Sequence, residues 1–378
     1  MPGISLEKRV SDAFHYFHEN PELSYQEFGT TQRIREELAA GGIAVLPLAL
    51  ETGCVAEVGS GERLIALRCD IDALPVQEET DLPYKSSTPG VMHACGHDFH
   101  AALMIGAAHL LKAREKELRG RVRIVFQPAE EAPGGARKII ESGALSGTEA
   151  IFGVHTIINL EPGTLALREG ATHAAVDRFS ITLTGRGTHA AHPELGIDVT
   201  LAASQLVVAV QSVVSRNSSP FDANLLSVTR FSSGNTWNVI PESAFLEGTV
   251  RTMTPETREL VKRRLEEIAR GIAETFGAKA EVRWVTGLPP MQNNPELTGW
   301  VRELALKEGF RVVRAPASLG GEDFSLYEEH LPGAFIQIGT GPSLPNHNPR
   351  FVADERALFP AAKFLARVAE ERLKTTNR

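Results

Sequence analysis

The chain has 378 residues, of which 42% are hydrophobic and 23% charged, and these fractions exclude a disordered, collagen-like or disulfide-scaffold protein. The formal net charge is −8, which argues against nucleic acid or an anionic membrane as the main partner. Only three cysteines occur, so we expect a reducing, cytoplasmic location. No apolar run approaches the ~18 residues of a membrane span, and we expect no signal peptide in MPGISLEKRV.

The first part of the chain predicts helices and strands in alternation. Residues 4–41 predict two helices, the second running from about Tyr25 to Leu38, because their apolar residues recur at helical spacing. Four strands and two helices then alternate: CVAEV, RLIALRCDID, RVRIVF and AIFGVH are the predicted strands, and HAALMIGAAHLLKARE and ARKIIESGAL the predicted helices. Such alternation favours a parallel-rich α/β sheet with both faces covered.

The pattern changes near residue 173. Strands and long helices follow in the order β-α-β-β-α-β, which is that of the ferredoxin-like motif; its first helix is predicted over DVTLAASQLVVAVQSVVSR. After GLPPMQNNPE the α/β pattern resumes, with a helix near 295–308, strands at RVVR and GAFIQIG, and a last helix from about Glu355 to Arg372. We therefore predict an α/β domain of residues 1–172 and 287–378, interrupted by a ferredoxin-like α+β domain of residues 173–286.

The densest chemical signal is the segment Met92-His93-Ala94-Cys95-Gly96-His97-Asp98-Phe99-His100. Its Cys-x-His spacing brings a thiolate and an imidazole together, and both can bind a divalent transition metal. A buried cysteine beside surface histidines would give the same pattern. The position of the segment, between a loop and a helix, favours a site.

Two adjacent carboxylates, Glu130 and Glu131, follow the predicted strand RVRIVF. Sites in open α/β sheets lie beyond the carboxyl ends of strands. One carboxylate of such a pair can bind a metal while the other acts as general base on a metal-bound water. Taken alone, such a pair is usually a solvated loop.

Two histidines complete a plausible ligand set. His155 ends the strand AIFGVH, and His347 lies in the loop PNHNPRF. The five residues all fall at strand ends or adjoining loops, and they suffice for two metals if one ligand or a water bridges them: Cys95, His97, Glu131, His155 and His347. Asp70 and Asp72, at the end of LIALRCDID, are candidates to orient the ligating histidines.

The inserted domain contributes three further candidates. His189, after its first strand, can donate to a developing oxyanion if the domain faces the metals. Arg251, near the end of the third strand, can pair with a carboxylate, although an ordinary structural arginine fits the pattern equally. Asn238 lies on the other side of that strand.

Several motifs together resemble the M20 metallopeptidase family and most of all its aminoacylase-type D branch, which includes N-acyl-amino-acid amidohydrolases, hippurate hydrolases and auxin-conjugate hydrolases. The motifs occur in the family's order over nearly the whole chain: RCDIDALP, MHACGHDFHAA, QPAEE, GVH, GRGTHAA, NVIPE, GTVRT, GGEDFS and HNPRFVADE. The Cys-x-His element is the most specific of them.

The resemblance implies a binuclear site with Cys95 as the bridging ligand and with the four other candidate ligands completing it. It implies that Glu130 is the general base, and that His189, presented by the lid domain of a second subunit, stabilises the oxyanion. Asn238 and Arg251 would hold the carboxylate end of the substrate. The inserted domain would serve as lid and dimerisation domain of a homodimer or homotetramer.

The chain departs from the family pattern near His189, at Thr188, His192 and Glu194, and again at Gly321. None of these positions belongs to the implied ligand set or is the implied base. The differences beside His189 therefore concern substrate specificity rather than catalysis.

We predict a metal-dependent amide hydrolase that removes the acyl group of an N-acyl-amino acid, of the N-acetyl or N-benzoyl type. Its cofactors would be two divalent ions per subunit, and the thiolate favours zinc over manganese, nickel or cobalt. A dipeptidase or carboxypeptidase of the same family is the alternative. A catalytically silent binding protein would lack the base or ligands, and a cysteine hydrolase built on Cys95 and His97 lacks an oxyanion-hole motif.

Overall fold

The computed structural model describes residues 4–375. Contacts divide the chain into two compact units. The larger unit comprises Met1–Gly170, Asn293–Pro316 and Leu326–Arg378, and the smaller unit comprises Ala171–Gln292 and Ala317–Ser325. Among residues 4–375 no helix is both long enough and apolar enough to cross a membrane.

Helices and strands are numbered along the chain. The helices are α1 (Leu6–Glu19), α2 (Phe28–Ala40), α3 (His97–Ala113), α4 (Gly135–Glu141), α5 (Val199–Ala209), α6 (Pro255–Thr275), α7 (Pro295–Lys307), α8 (Ser325–Glu328) and α9 (Leu358–Lys374). The strands are β1 (Ala44–Val45), β2 (Cys54–Gly59), β3 (Leu64–Asp70), β4 (Arg121–Gln127), β5 (Ile151–Ile157), β6 (Thr164–Leu167), β7 (Gly170–Ala171), β8 (Ala175–Thr184), β9 (Thr188–His189), β10 (Asn224–Ser233), β11 (Val239–Ile240), β12 (Ser243–Thr252), β13 (Lys279–Val285), β14 (Gln292–Asn293), β15 (Arg311–Arg314) and β16 (Gly333–Gly339).

The larger unit is built on an eight-stranded sheet in the order β1-β2-β4-β3-β5-β16-β6-β15. The four middle strands, β4, β3, β5 and β16, pair in parallel, whereas β2 and β6 join them in antiparallel. Parallel strands carry their carboxyl ends to one edge, where α/β sheets place their sites. The predicted parallel-rich α/β architecture is thus confirmed.

The core of the larger unit lies between this sheet and helices α1, α3 and α9, which pack against one another. Strand β3 is buried along its whole length, as expected for a strand covered on both faces. Phe14 of α1 meets Phe99 of α3 edge-to-face, with ring centroids 5.9 Å apart, and both are buried. Burying one such side chain is worth roughly 1.5–3 kcal/mol, so α3 is firmly seated where its first turn enters the site.

The differences from the sequence prediction in this unit include two helix starts and one strand. Helix α2 begins at Phe28 rather than Tyr25, because Tyr25 adopts a positive φ of 66° that no helix contains. Helix α9 begins at Leu358, since Glu355–Ala357 forms a separate 3₁₀ turn. Strand β6, which lies between β16 and β15, was not predicted.

The smaller unit contains a four-stranded sheet in the order β10-β12-β8-β13, with every neighbouring pair antiparallel. Helices α5 and α6 pack against it around a separate core. The chain order β8-α5-β10-β12-α6-β13 is that of the ferredoxin-like motif, as predicted. The contacts also assign Ala317–Ser325 to this unit, which the sequence pattern did not indicate.

The first helix of the smaller unit is shorter than predicted. Helix α5 ends at Ala209, and Val213–Asn217 forms a separate π-helical turn. Val210 and Ser212, which lie between the two segments, keep right-handed helical backbone angles, so the hydrogen-bond pattern changes here while the backbone stays helical.

Candidate metal centre

The five predicted ligands all lie in the larger unit and come from four places in its chain. Cys95 and His97 lie at the start of α3, His155 in β5, Glu131 after β4, and His347 after β16. Strands β4, β5 and β16 are members of the parallel group of the sheet. The topology therefore brings together residues that are up to 252 positions apart in the chain.

The Cys-x-His segment needs the glycine at its centre. Gly96 has a φ of 90° and directly precedes α3, and a Cβ at this position would lie 2.8 Å from Thr156 Oγ1. A side chain would be excluded both by this contact and by the left-handed backbone conformation. The hydroxyl of Thr156 donates to the carbonyl oxygen of Cys95 over 3.2 Å, which ties the segment to β5.

His97 is fully buried and oriented by Asp72. Its Nδ1 lies 2.9 Å from the Asp72 carbonyl oxygen and 3.2 Å from the Asp72 carboxylate. With Nδ1–H donating there, a neutral ring keeps the lone pair of Nε2, and this atom makes no hydrogen bond among the described residues. A buried nitrogen without a partner is costly unless something binds it, and this orientation is that of a metal-ligating histidine.

His155 shows the same arrangement. Its Nδ1 lies 2.8 Å from the carbonyl oxygen of Thr156, and its Nε2 lies 3.5 Å from the sulfur of Cys95. The strand continues two residues past His155, so this histidine does not end β5 as predicted. Its side chain still points a ring nitrogen at the thiol.

Glu131 and His347 form the second pair of donors. His347 Nε2 lies 3.1 Å from Glu131 Oε1, and the backbone N–H of His347 donates to the carbonyl oxygen of Ala94 over 2.8 Å. The neighbouring Asn346 donates from Nδ2 to the Cys95 sulfur over 3.3 Å. The loop after β16 is thus bonded directly to the Cys-x-His segment.

Cys95 belongs to two groups of donors. Its sulfur and the donor atoms of His97 and His155 all lie within 4.8 Å of one another, and the same holds for its sulfur with those of Glu131 and His347. One sulfur shared by two groups is the arrangement that a bridging ligand requires. Thiolate, imidazole and carboxylate are donors that fit a zinc-type divalent ion, so the residues present fit a binuclear centre.

The electrostatics of the cluster suit a cation. Burial would raise the pKa of the Cys95 thiol, but His155, His347 and His97 together hold it well below its usual range. Burial opposes charge on His97, yet Asp70, with Asp72 and Cys95, raises the pKa of His97 well above its usual range. The same surroundings that hold a proton on buried His97 would stabilise a divalent ion.

Glu130 lies at the edge of the same cluster. Its carboxylate, that of Glu131 and a ring nitrogen of His97 lie within 4.8 Å of one another. Its backbone N–H donates to Asp72 Oδ1, and that of Glu131 donates to Asp72 Oδ2, each over 3.0 Å. Asp72 therefore holds both the histidine and the two glutamates, as expected for an orienting carboxylate.

Asp70 hydrogen-bonds to other residues, and its Oδ1 lies 3.8 Å from Nε2 of the predicted ligand His97. Its Oδ2 accepts from the buried Arg68 over 2.7 Å, and its Oδ1 lies 2.5 Å from Nδ1 of His100. His100 Nε2 accepts the backbone N–H of Thr156 over 2.8 Å, which places the ring proton on Nδ1. Burial lowers the pKa of His100 to about 4. Asp70 thus connects β3 to α3 and β5 through His100.

The three candidates of the inserted domain all lie in the smaller unit. Strands β9 and β11 pair His189 with Val239, and the backbone N–H of Ala190 donates to the carbonyl oxygen of Asn238 over 2.9 Å. His189 is thus part of a two-stranded sheet, and Asn238 directly precedes the second strand of that sheet. His189 is exposed, and its Nδ1 accepts the backbone N–H of Ala191 over 3.1 Å, so the proton of a neutral ring lies on Nε2.

Arg251 lies apart from these two, in the middle strand β12 of the four-stranded sheet. Its guanidinium donates to the carbonyl oxygen of Val250 over 3.0 Å and to the hydroxyl of Thr249. The side chain is half-buried.

Sequence reasoning missed the residues that support the cluster from outside. Asn346 and Thr156 bond Cys95, and the turn between α1 and α2 bonds Asp72 through the hydroxyl of Ser24 over 2.7 Å. The only signal for Asn346 is its place beside His347. Thr156 and Ser24 carry no local signal, because their role depends on partners 61 and 48 positions away.

The chain was compared with known proteins. The family model described as peptidase family M20/M25/M40 matches residues 66–371. The N-acetylcysteine deacetylase of Bacillus subtilis is 47% identical over 372 residues, which cover 98% of each chain. The thermostable carboxypeptidase 2 of Saccharolobus solfataricus is 37% identical over 352 residues, covering 90% of this chain and 89% of that protein.

A solved structure agrees with both the sequence and the fold. The crystal structure of a Bacillus subtilis protein, described as a dinuclear metal binding peptidase from the M20 family, superposes with a TM-score of 0.90 at 42% identity, covering 98% of this chain and 99% of that chain. The predicted resemblance to the family and to its aminoacylase-type branch is confirmed. This protein therefore belongs to peptidase family M20/M25/M40.

Proposed function

We propose that the protein is a metal-dependent amide hydrolase that removes the acyl group from N-acyl-amino acids, of the N-acetyl or N-benzoyl type. The observation that carries the proposal is the Cys95 sulfur shared by two donor groups, with the Glu130 carboxylate beside them. Membership of the M20 family and 47% identity to an N-acetylcysteine deacetylase support an activity on carbon–nitrogen bonds.

Cys95, His97 and His155 would hold one divalent ion, and Cys95, Glu131 and His347 a second. When bound, such ions polarise a carbonyl group and acidify a water molecule. Zinc fits the thiolate best among zinc, manganese, nickel and cobalt. Asp72 would keep His97 in the tautomer that leaves Nε2 free to bind an ion.

Glu130 would act as general base. Its carboxylate accepts a proton from the attacking water and delivers it to the nitrogen of the leaving amine, so one group serves both halves of the reaction. Asp72 fixes the backbone of Glu130, so the carboxylate is presented from a bonded loop. Such positioning is itself a large part of catalysis.

His189 would donate from Nε2 to the oxyanion of the tetrahedral intermediate, since its Nδ1 is already occupied as an acceptor. Asn238 and Arg251 would bind the substrate, with Arg251 meeting its carboxylate end. In the family's arrangement His189 acts in the site of a second subunit, and residues 173–286 would form the lid and dimerisation domain.

The smaller unit supports assembly into a homodimer or homotetramer. Strand β10 is an edge strand, and an unpaired edge is a template for pairing with another chain. Apolar side chains are exposed on this strand and on α5, namely Phe231, Leu201 and Val208. We infer that a second copy of the chain covers them.

We also infer a cytoplasmic location, which agrees with three free cysteine thiols.

A carboxypeptidase is the second candidate, because a relative with 37% identity carries that name. Both activities use the same metal chemistry and differ in the acyl half of the substrate. A panel of N-acetyl-amino acids, N-benzoyl-amino acids, dipeptides and N-blocked peptides distinguishes the two activities.

The decisive experiment is metal removal and reconstitution. After dialysis against a strong chelator, amide hydrolysis should disappear, and zinc, manganese, cobalt or nickel should restore it at two ions per chain by elemental analysis. N-acyl-amino acids should be better substrates than dipeptides. Full activity in protein shown to be free of metal would refute the proposal.

A further inference from the structure

The turn between α1 and α2 bonds the loop that carries Glu130 and Glu131. It separates the two helices in the sequence, and the proposed reaction does not use it, although the sequence prediction placed Tyr25 and Glu27 in the second helix. Three of its side chains bond to the site region of the larger unit. The bonds are Ser24 Oγ to Asp72 Oδ2 at 2.7 Å, Tyr25 Oη to the carbonyl oxygen of Pro133 at 2.6 Å, and the backbone N–H of Ala129 to Glu27 Oε1 at 2.8 Å.

Ala129 is the residue at which the loop most needs support. It has a φ of 52°, in the left-handed region that non-glycine residues seldom adopt. Such a conformation persists only where the surroundings enforce it. Ala129 is fully buried, and so is Glu27, whose carboxylate accepts the Ala129 N–H.

Tyr25 supports the other side of the two glutamates. Its hydroxyl donates to the carbonyl oxygen of Pro133, and the ammonium of Lys138 lies 4.2 Å from its ring centroid. The bonds from Glu27 and Tyr25 thus bracket residues 129–133, and Glu130 and Glu131 lie between the two anchor points.

We propose that Glu27 and Tyr25 are positioning residues, which hold the backbone of residues 129–133 in the conformation that presents Glu130 and Glu131 to the reaction. The roles of those two glutamates rest on the proposed function. The hold on the loop rests only on the contacts above.

The test compares four variants of the full-length, metal-loaded protein. Glu27→Ala removes the acceptor, whereas Glu27→Gln keeps an oxygen that can accept the Ala129 N–H. Tyr25→Phe removes one hydroxyl from a partly exposed side chain and so spares the fold. Glu22→Ala is the matched control, because Glu22 accepts the N–H groups of Gly29 and Thr30 at the start of α2 and does not bond the loop.

The first readout is amide hydrogen exchange of peptides that contain residues 129–135, measured by mass spectrometry. Glu27→Ala and Tyr25→Phe should raise exchange there at least several-fold, whereas Glu27→Gln and Glu22→Ala should leave it as in the wild type. Unchanged exchange in both Glu27→Ala and Tyr25→Phe would overturn the inference, whatever reaction the protein catalyses.

The second readout is the division between kcat and KM at saturating metal. Glu27→Ala should lower kcat by about 10- to 100-fold, since a displacement of about 1 Å can cost 10² in rate, with KM changed less than about 3-fold. Glu27→Gln should restore most of kcat. A Glu27→Gln protein as slow as Glu27→Ala would contradict positioning through the acceptor oxygen, as would an equal loss in Glu22→Ala.

The two proposals fail in different ways. If wild-type protein hydrolyses no amide, the proposed function is wrong, and the exchange data still decide whether the turn holds the loop. If the wild type is active and Glu27→Ala and Tyr25→Phe change neither exchange nor kcat, the positioning role is wrong and the proposed function stands.

Discussion

The backbone N–H of Glu130 donates to Oδ1 of Asp72 over 3.0 Å, so the proposed base is fixed to the segment that directly follows β3. Asp72 accepts through both oxygens, because its Oδ2 takes the N–H of Glu131. An asparagine would turn an NH₂ group toward one of these donors. Asp72→Asn should therefore lower metal affinity or kcat by at least ~10-fold, measured by competition with a metal chelator and by steady-state kinetics.

Asp12→Asn is the control for this change. Asp12 is an exposed carboxylate paired with Lys8 on the surface of α1, and exposed pairs contribute little. Its variant should keep wild-type metal affinity and kcat. If Asp72→Asn did the same, Asp72 would have no orienting role.

Glu130 and Glu131 should respond differently to the same substitution. Glu130→Gln removes the proposed base and should lower kcat by at least ~10² with two ions still bound. Glu131→Gln removes a proposed ligand, so metal content should fall and added metal should restore part of the activity. Elemental analysis together with kinetics distinguishes the two variants. If Glu130→Gln lost metal and Glu131→Gln kept it, the proposed roles of the two glutamates would be exchanged.

Cys95 should be protected by metal. A thiolate bound to an ion is shielded from alkylation, whereas in the metal-free protein the histidines around it keep its pKa low and the thiolate reactive. Iodoacetamide should label Cys95 at least ~10-fold faster after metal removal, as shown by peptide mapping. Cys54, whose pKa is raised to about 12 by burial, is the internal control and should stay unlabelled in both states. Equal labelling of Cys95 with and without metal would argue against ligation.

His189 should act in the site of a second subunit. His189→Ala should lower kcat by roughly 10²–10³, the scale of a lost oxyanion donor, without loss of metal. When His189→Ala subunits are mixed with Glu130→Gln subunits, one site of each mixed dimer receives both defects and the other neither, so activity should return. No recovery, with exchange confirmed by native mass spectrometry, would place His189 in its own subunit's site or outside catalysis.

His18 should make stability depend on pH. Burial would lower its pKa, but Asp98, 2.6 Å away, and Glu78, 3.1 Å away, raise it to about 9. Because the pKa of His18 is higher in the folded protein than its unfolded value of about 6.5, protonation of His18 stabilises the fold. This contribution is complete below pH 6.5 and is lost as the pH rises through 9. The contribution is on the order of 3 kcal/mol.

Urea unfolding of wild type and His18→Gln at pH 6 and pH 9.5 measures this effect. The wild type should exceed the variant in free energy of unfolding by more at pH 6 than at pH 9.5. His109→Gln is a control in which the pH dependence of stability has the opposite sign. Burial lowers the pKa of His109, so the free energy of unfolding of the wild type should rise relative to that of His109→Gln as the pH increases to about 6.5. A His18 difference that does not change with pH would contradict the ion network.

Much of the fold follows from local pattern. Strands such as Leu64–Asp70 are continuous apolar runs, and α3 is a long apolar helix that begins after a glycine, so short stretches of sequence identify them. Thr164–Leu167 was missed because TLAL contains only one β-branched residue, whereas the equally short strand RVVR, which was predicted, contains two valines. The end of α5 at Ala209 was missed because the apolar pattern continues beyond the helix.

The site could be predicted where its functional groups lie close together in the sequence. Cys95 and His97 stand out as a pair, and Glu130 and Glu131 as another. The contacts that hold them do not stand out, since Asn346 reaches Cys95 from 251 positions away and Glu27 reaches Ala129 from 102. Only the folded chain brings such partners together. The ligand roles themselves stay predictions until a metal is bound and counted.

The place of β16 in the larger sheet bears on how the protein is made. This strand lies between β5 and β6, yet it is translated after the whole of Ala171–Gln292. A ribosome-bound chain of about 300 residues already contains every strand of the four-stranded sheet of the smaller unit, which needs only residues 175–285. At that length β5 still has an open edge, and His347 has not yet been translated. Such an edge invites aggregation. Nascent chains stalled or truncated before Gly333 should therefore accumulate without the proposed ligand His347 and depend strongly on chaperones.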